Sequence, residues 1–265
     1  MKKFLDASKR RRPSPSMVVA ILATFFALGG GAYAVTQVSS PDVGEHWGVI
    51  TRNTIGSAVA DLRSGPYGSF GVTGILSRPP RGTGSLGIQV SDNATTQSPA
   101  SEKVAYGNEV DFLGNPVSGL ARVALNVFQT EENADINPRN MPNITLEINP
   151  HVAGKTYTSM VWVPDAAPWV NRWSGPINAA TTGNWYFTNG TVAAATGCDQ
   201  TLTCSFSDAQ SALVAQNDGS GAASIYTVAV SKGRDDEWVG AVDALRINNT
   251  IYDFETDGVH EINSP

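Results

Sequence analysis

An all-β, antiparallel two-sheet β-sandwich (jelly roll) with one short helix, preceded by an N-terminal hydrophobic signal or anchor helix, is the fold class this 265-residue sequence predicts. Three observations predict it. Short runs that alternate apolar and polar residues recur at roughly 10–20-residue spacing. Turn formers separate them, with 26 Gly and 15 Pro along the chain. No strand–helix–strand rhythm and no internal repeat interrupts them, which argues against a parallel sheet. The composition agrees: 41% hydrophobic and 16% charged residues suit a globular chain with a core, not a disordered one.

Residues 1–16 are basic, 17–28 are apolar except for Thr24, and three glycines and Ala32-Tyr33-Ala34 follow. A basic start, an apolar stretch and an A-x-A end describe a secretory signal peptide cleaved after Ala34. If uncleaved, residues 17–35 just reach the length of a membrane anchor. Either reading puts the body outside the cytoplasm, secreted or at the cell surface, with the membrane touched only through this segment. Residues 1–34 are therefore read as signal peptide or anchor, 35–43 as linker, 44–258 as a single β-sandwich domain and 259–265 as a tail. The leader holds six of the 18 basic residues and one of the 24 acidic ones, which leaves the body 12 basic and 23 acidic, a net −11. Such a body repels phosphate backbones, so no nucleic-acid partner is expected.

The body opens on His46-Trp47-Gly48-Val49-Ile50, a first strand. Residues 64–84 are dense in Gly and Pro and read as turns. Residues 85–91 place Leu86, Ile88 and Val90 on one strand face. Residues 120–130 alternate Val123, Leu125 and Val127 against Ala124, Asn126 and Phe128. Residues 143–149 turn Ile144, Leu146 and Ile148 inward. Residues 155–163 are β-branched and aromatic and predict a strand buried on both faces. Residues 184–188 and 224–230 are further strands. The one helix expected spans 208–215, capped by Ser207 with Gln210 at the capping-box position. The end of the chain, 233–255, reads as a hairpin around Asn248-Asn249. A two-residue turn there sets Ile247 opposite Thr250, Leu245 opposite Tyr252 and Asp243 opposite Phe254. Strict alternation then puts Asp243 on the apolar face, held by backbone or hydroxyl donors, and places Arg246 to serve Asp253 diagonally.

Side chains that could carry function are few. Trp47, Trp162, Trp185 and Trp238 lie in strand-like runs and are expected in the core. Trp169, Asn171, Arg172 and Trp173 sit in the Pro/Gly-bounded loop 164–176. Aromatic faces beside amide and guanidinium donors suit a sugar ring, so these four are the expected ligand-binding residues. Asp243, Asp253 and Glu255 are the candidate ligands for a structural calcium ion, since hard cations collect carboxylate and carbonyl oxygens. The pairs Glu109/Asp111 and Asp253/Glu255 can each put two carboxylates on one face, but solvated faces are the ordinary reading. Only three His exist, His46, His151 and His260, and no G-x-S-x-G elbow, so a His-based hydrolase is not expected. Cys198 and Cys204 are expected to form a disulfide in an oxidising compartment; two Cys without a nearby His do not make a zinc site.

The stretches GSLGIQVSD (84–92), YTSMVWVPD (157–165), NRWSGPINAATTGNWYF (171–187) and VGAVDALRINNTIYDFE (239–255) resemble secreted bacterial β-jelly-roll proteins of actinobacterial type, similar to concanavalin-A-like and carbohydrate-binding sandwiches. The segment RRRPSPSMVVAILATFFALGGGAYA resembles the leaders of such exported proteins. The resemblance implies an extracellular jelly roll and carries over no catalytic residue. The expected function is an extracellular non-catalytic module that binds a polysaccharide or cell-surface glycan. The alternatives are a structural or adhesive surface domain, and a glycoside hydrolase or lyase of the concanavalin-A-like class.

Overall fold

The computed structural model describes residues 46–65, 74–93, 100–133 and 136–264. The leader and linker expected over 1–43 lie outside the described residues, all of which belong to the unit Pro41–Pro265. Two antiparallel sheets carry the fold. The first has six strands in the order β1 (Trp47–Val49), β4 (Val104–Asn108), β11 (Ser224–Lys232), β6 (Asn143–Asn149), β7 (Thr158–Val163) and β10 (Asn184–Phe187). The second has eight. Its spine runs β14 (Gly258–Asn263), β13 (Thr250–Glu255), β12 (Trp238–Ile247), β3 (Gly84–Val90) and β2 (Val59–Ser64). On the other edge of β12 lies β5 (Val123–Gln129), which in turn pairs with β8 (Arg172–Trp173) and β9 (Ile177–Asn178).

One apolar core draws on both sheets, the mark of a sandwich-like packing. Leu86, Ile88, Val123, Leu125, Val127, Val242 and Leu245 meet Ile144, Leu146, Ile148, Met160, Val228 and Val230. Leu86, Ile88, Val123, Leu125, Val127, Ile144, Leu146, Ile148 and Leu245 are positions that the period-two pattern turned inward, whereas Val242, expected on the opposite face, is also in the core; burying each contributes about 2 kcal/mol before the entropy of ordering. The four tryptophans expected in the core are there. Three also satisfy their indole N–H: Trp162 donates to Thr182 O at 2.8 Å, Trp185 to Ala179 O at 2.8 Å and Trp238 to Gln129 Oε1 at 2.7 Å. The Trp47 N–H has no partner among the described residues. Its ring instead closes one end of the core, 4.9 Å from the Tyr252 ring and 6.2 Å from Phe112 between centroids.

The helical content differs from the expectation of one helix over 208–215. Among the described residues there are two α-helices, α1 (Gly190–Thr196) and α2 (Phe206–Ala215). Asn189 caps α1, accepting from the N–H groups of Thr191 and Val192, and Gly197 closes it at φ 73°. The cap of α2 is Ser205, not Ser207: its hydroxyl accepts from Asp208 N–H and donates to the Asp208 carboxylate. Gln210 plays no part in that cap and donates to the carbonyls of Val117 and Leu120. Cys198 and Cys204 are disulfide-bonded. The loop they close pairs with β10, through Phe187 N–H to Cys198 O and a reciprocal pair between Trp185 and Cys204. That covers the edge of the six-stranded sheet, which would otherwise present unpaired backbone groups.

The C-terminal hairpin keeps the expected turn register: Leu245 faces Tyr252 and Ile247 faces Thr250. Two expectations fail further out. Residues 259–263 are not a tail; they form β14 and pair along the whole of β13. Asp243 does not share the apolar face. The partner of β12 changes from β3 to β13 beyond Val242, and the chain bulges there, with Ala244 at φ 51° and a register shift against β5. The extra residue moves Asp243 to the outer face, with Asp253 and Glu255. Arg246 does not serve Asp253 either; its Nε donates to Asn248 O.

Candidate functional site

Both expected sites lie along the eight-stranded sheet. Strand β8 sets Trp173 opposite Phe128, with rings 5.7 Å apart edge to face, and the Trp173 indole N–H donates to Ser77 O at 3.3 Å. Alternation along this short strand sends Arg172 the other way. Its guanidinium lies 5.2 Å from the centre of the Trp169 ring, which is 76% exposed. Asn171 holds the turn between them at φ 57°, a conformation Asn tolerates, while its N–H donates to Gln129 O and its amide to Glu131. The four expected ligand residues therefore divide. Trp169, Asn171 and Arg172 stand together at the surface beside Glu131, and Trp173 packs onto the sheet.

The three candidate calcium ligands also come together. Asp243 Oδ1 accepts from Phe254 N–H at 3.2 Å and Oδ2 from Arg81 N–H at 3.1 Å. Glu255 accepts from the N–H groups of Thr83 and Gly84 and from the Thr83 hydroxyl. These carboxylates stand in for the strand that is missing where β3 starts and β13 ends, and they satisfy backbone donors the switch of partner leaves open. Asp243 is fully buried, and burial with the neighbouring Asp253 pushes its carboxyl up to about 7 against the N–H groups that favour its ionised form. Burial and Glu255 also raise Asp253, within hydrogen-bond reach of Asp243; its Oδ1 has no partner among the described residues. Calcium needs six to eight oxygens. Here both Asp243 oxygens and Glu255 Oε1 already accept from N–H donors, and among the described residues no group of three or more His, Cys, Asp or Glu is placed to hold a metal ion. The residues do not fit the ion, and no role is built on it.

A second carboxylate centre sits on the outer face of the six-stranded sheet. Glu147, 1% exposed, accepts from Tyr157 Oη at 2.5 Å, Thr227 Oγ1 at 2.7 Å, Asn53 Nδ2 at 2.8 Å and the Arg52 guanidinium, which also reaches Glu109. Burial alone would raise its pKa; the hydrogen bonds from Tyr157, Thr227, Asn53 and Arg52 outweigh that and hold it below the ordinary range. Every oxygen is satisfied, so this is a strut, binding the Arg52 turn to the sheet.

One feature was invisible in the sequence. At one end of the sandwich a cleft of about 370 Å³ opens between the loop after β4 and the Asn248 turn. Asp111, Glu261 and Tyr252 line it above Phe112, Leu120, Ile225 and Ile247. Asp111 is held by His46 Nδ1 at 2.7 Å and Asn108 Nδ2 at 2.5 Å. Glu261 faces Tyr252 across the β13–β14 pair. Burial and then the Asp111 charge raise the Glu261 carboxyl. The only sequence signal was the doublet Glu109/Asp111; Glu261 fell in the expected tail. No family model, no curated protein and no solved structure matches this chain.

Proposed function

We propose that this chain is an extracytoplasmic, non-catalytic glycan-binding module of jelly-roll type, and that Trp169 with Arg172 and Asn171 is its sugar platform. The observation that carries the reading is the exposure of Trp169. An indole three-quarters exposed costs solvation unless something covers it, and Arg172 lies over the ring while amide, guanidinium and carboxylate groups stand beside it. A pyranose needs such a surface: an apolar face for its C–H groups, and donors and acceptors for its hydroxyls. The Cys198–Cys204 disulfide supports an oxidising compartment, as does the basic and apolar leader with its A-x-A end.

The test is sedimentation of the chain from residue 35 with insoluble cell-wall and plant polysaccharides, beside its Trp169→Ala variant. Retention by at least one polysaccharide and its loss in the variant is the expected result. No retention on any polysaccharide, or equal retention of both proteins, overturns the reading.

A further inference from the structure

We propose that the cleft lined by Asp111, Glu261 and Tyr252 binds a small organic ligand through a protonated amine. This site is separate from the Trp169 platform and stands or falls independently of it. Two carboxylates share one cavity, and Glu261 has no hydrogen-bond or ion-pair partner among the described residues. The body is already acidic, so nothing in the overall charge offsets them. A cation placed between two like charges relieves their repulsion and gains from both.

The second observation is Tyr252. It is 5% exposed, it lines the cleft, and its hydroxyl has no hydrogen-bond partner among the described residues. It pairs directly across from Glu261 on β14, which sets both side chains on one face of the sheet. The ring is buried but its hydroxyl keeps access to the cleft, where a ligand can take the place of water as its hydrogen-bond partner. The lower wall of the cleft is apolar, with Phe112, Leu120, Ile225 and Ile247, and Trp47 packs edge-on to Phe112 and tilted against Tyr252. A metal ion gains nothing from such walls, whereas an amine on a ring or short chain uses both the carboxylates and the apolar floor.

A purely structural origin covers one part only. An inward-pointing charge on an edge strand discourages pairing with other sheets, and Glu261 lies on the edge strand β14. That role does not require Asp111 opposite, an open cavity or an unpartnered phenol.

Glucosamine, butylamine and N-acetylglucosamine are titrated into the 15N-labelled chain from residue 35, following the indole N–H of Trp47. Its ring touches Tyr252, so filling the cleft moves its signal. Saturable binding of glucosamine or butylamine, with N-acetylglucosamine at least about tenfold weaker, is expected. Glucosamine alone would point to an amino sugar, and both amines to a simple ammonium. Glu261→Gln should weaken the bound amine about tenfold, and Tyr252→Phe should weaken it with the fold intact by circular dichroism. Equal binding of N-acetylglucosamine, an unchanged affinity in Glu261→Gln, or no saturable binding up to roughly 10 mM overturns the proposal.

Discussion

Asp243→Asn should remove a pH dependence from the stability of this protein. Asp243 plugs the junction where β12 changes partner, and its carboxyl titrates at about 7 rather than 3.8. A native value above the unfolded one means that stability is fully present below about pH 4 and is lost as pH rises towards 7, because the unfolded chain releases the proton first. The span from 3.8 to about 7, at about 1.4 kcal/mol per pH unit, comes to about 4 kcal/mol. That is an upper bound, since Asp253 shares the site and spreads the titration over two groups. Asparagine keeps an acceptor for Phe254 N–H and a donor towards Asp253, but loses the acceptor for Arg81 N–H. That loss costs about 1 kcal/mol at every pH. Urea denaturation of both proteins from about pH 4 to about pH 8 reads the difference. The variant should be slightly less stable in acid and more stable above neutrality, with the curves crossing between. A difference that does not change with pH would refute the reasoning, and would mean that the backbone N–H groups keep Asp243 ionised throughout.

Three further outcomes follow from the packing. Reducing the Cys198–Cys204 bond, or replacing both by Ser, should cost about 2 kcal/mol by loop entropy and loosen β10, read by urea denaturation. Glu147→Ala takes the acceptor from the buried Thr227 hydroxyl and one carboxylate from Tyr157 and Arg52, which keep solvent and Glu109, and should cost about 2 kcal/mol, seen as a drop in Tm; Arg52→Ala, at an exposed position, should cost less. Gly183 sits at φ 67°, and an added Cβ would come within 2.4 Å of Trp162 Nε1 and Val163 O, so Gly183→Ala should cost at least about 2 kcal/mol and alter the near-UV signal of Trp162.

Where one face of a strand is buried, alternation was enough to read it. Ile144, Leu146 and Ile148 point inward as their spacing requires, and the Asn248-Asn249 turn sets its register by its length. What escaped has physical reasons. The bulge at Asp243 depends on Ala244 adopting a left-handed conformation, and alanine does not advertise one. Helix α1 is two turns of Gly, Thr, Val and Ala whose only marks are Asn189 before it and Gly197 after it. Strand β14 turns Glu261 towards the core side at a sheet edge, which breaks the apolar alternation that would have revealed it. The cleft joins residues 111, 252 and 261, which only the closure of the sandwich brings together. In the loop 164–176, exposure separated two tryptophans that composition treats alike: Trp169 is open, while Trp173 finds Phe128 and Ser77.

The central claim is that Trp169 meets sugar, and the indole N–H signals of the six tryptophans test it most directly. On adding an oligosaccharide of whichever polysaccharide retains the protein, the Trp169 signal should shift or broaden saturably while Trp162, Trp185 and Trp238, buried in the core, stay in place. An unmoved Trp169 signal under saturating oligosaccharide would contradict the claim.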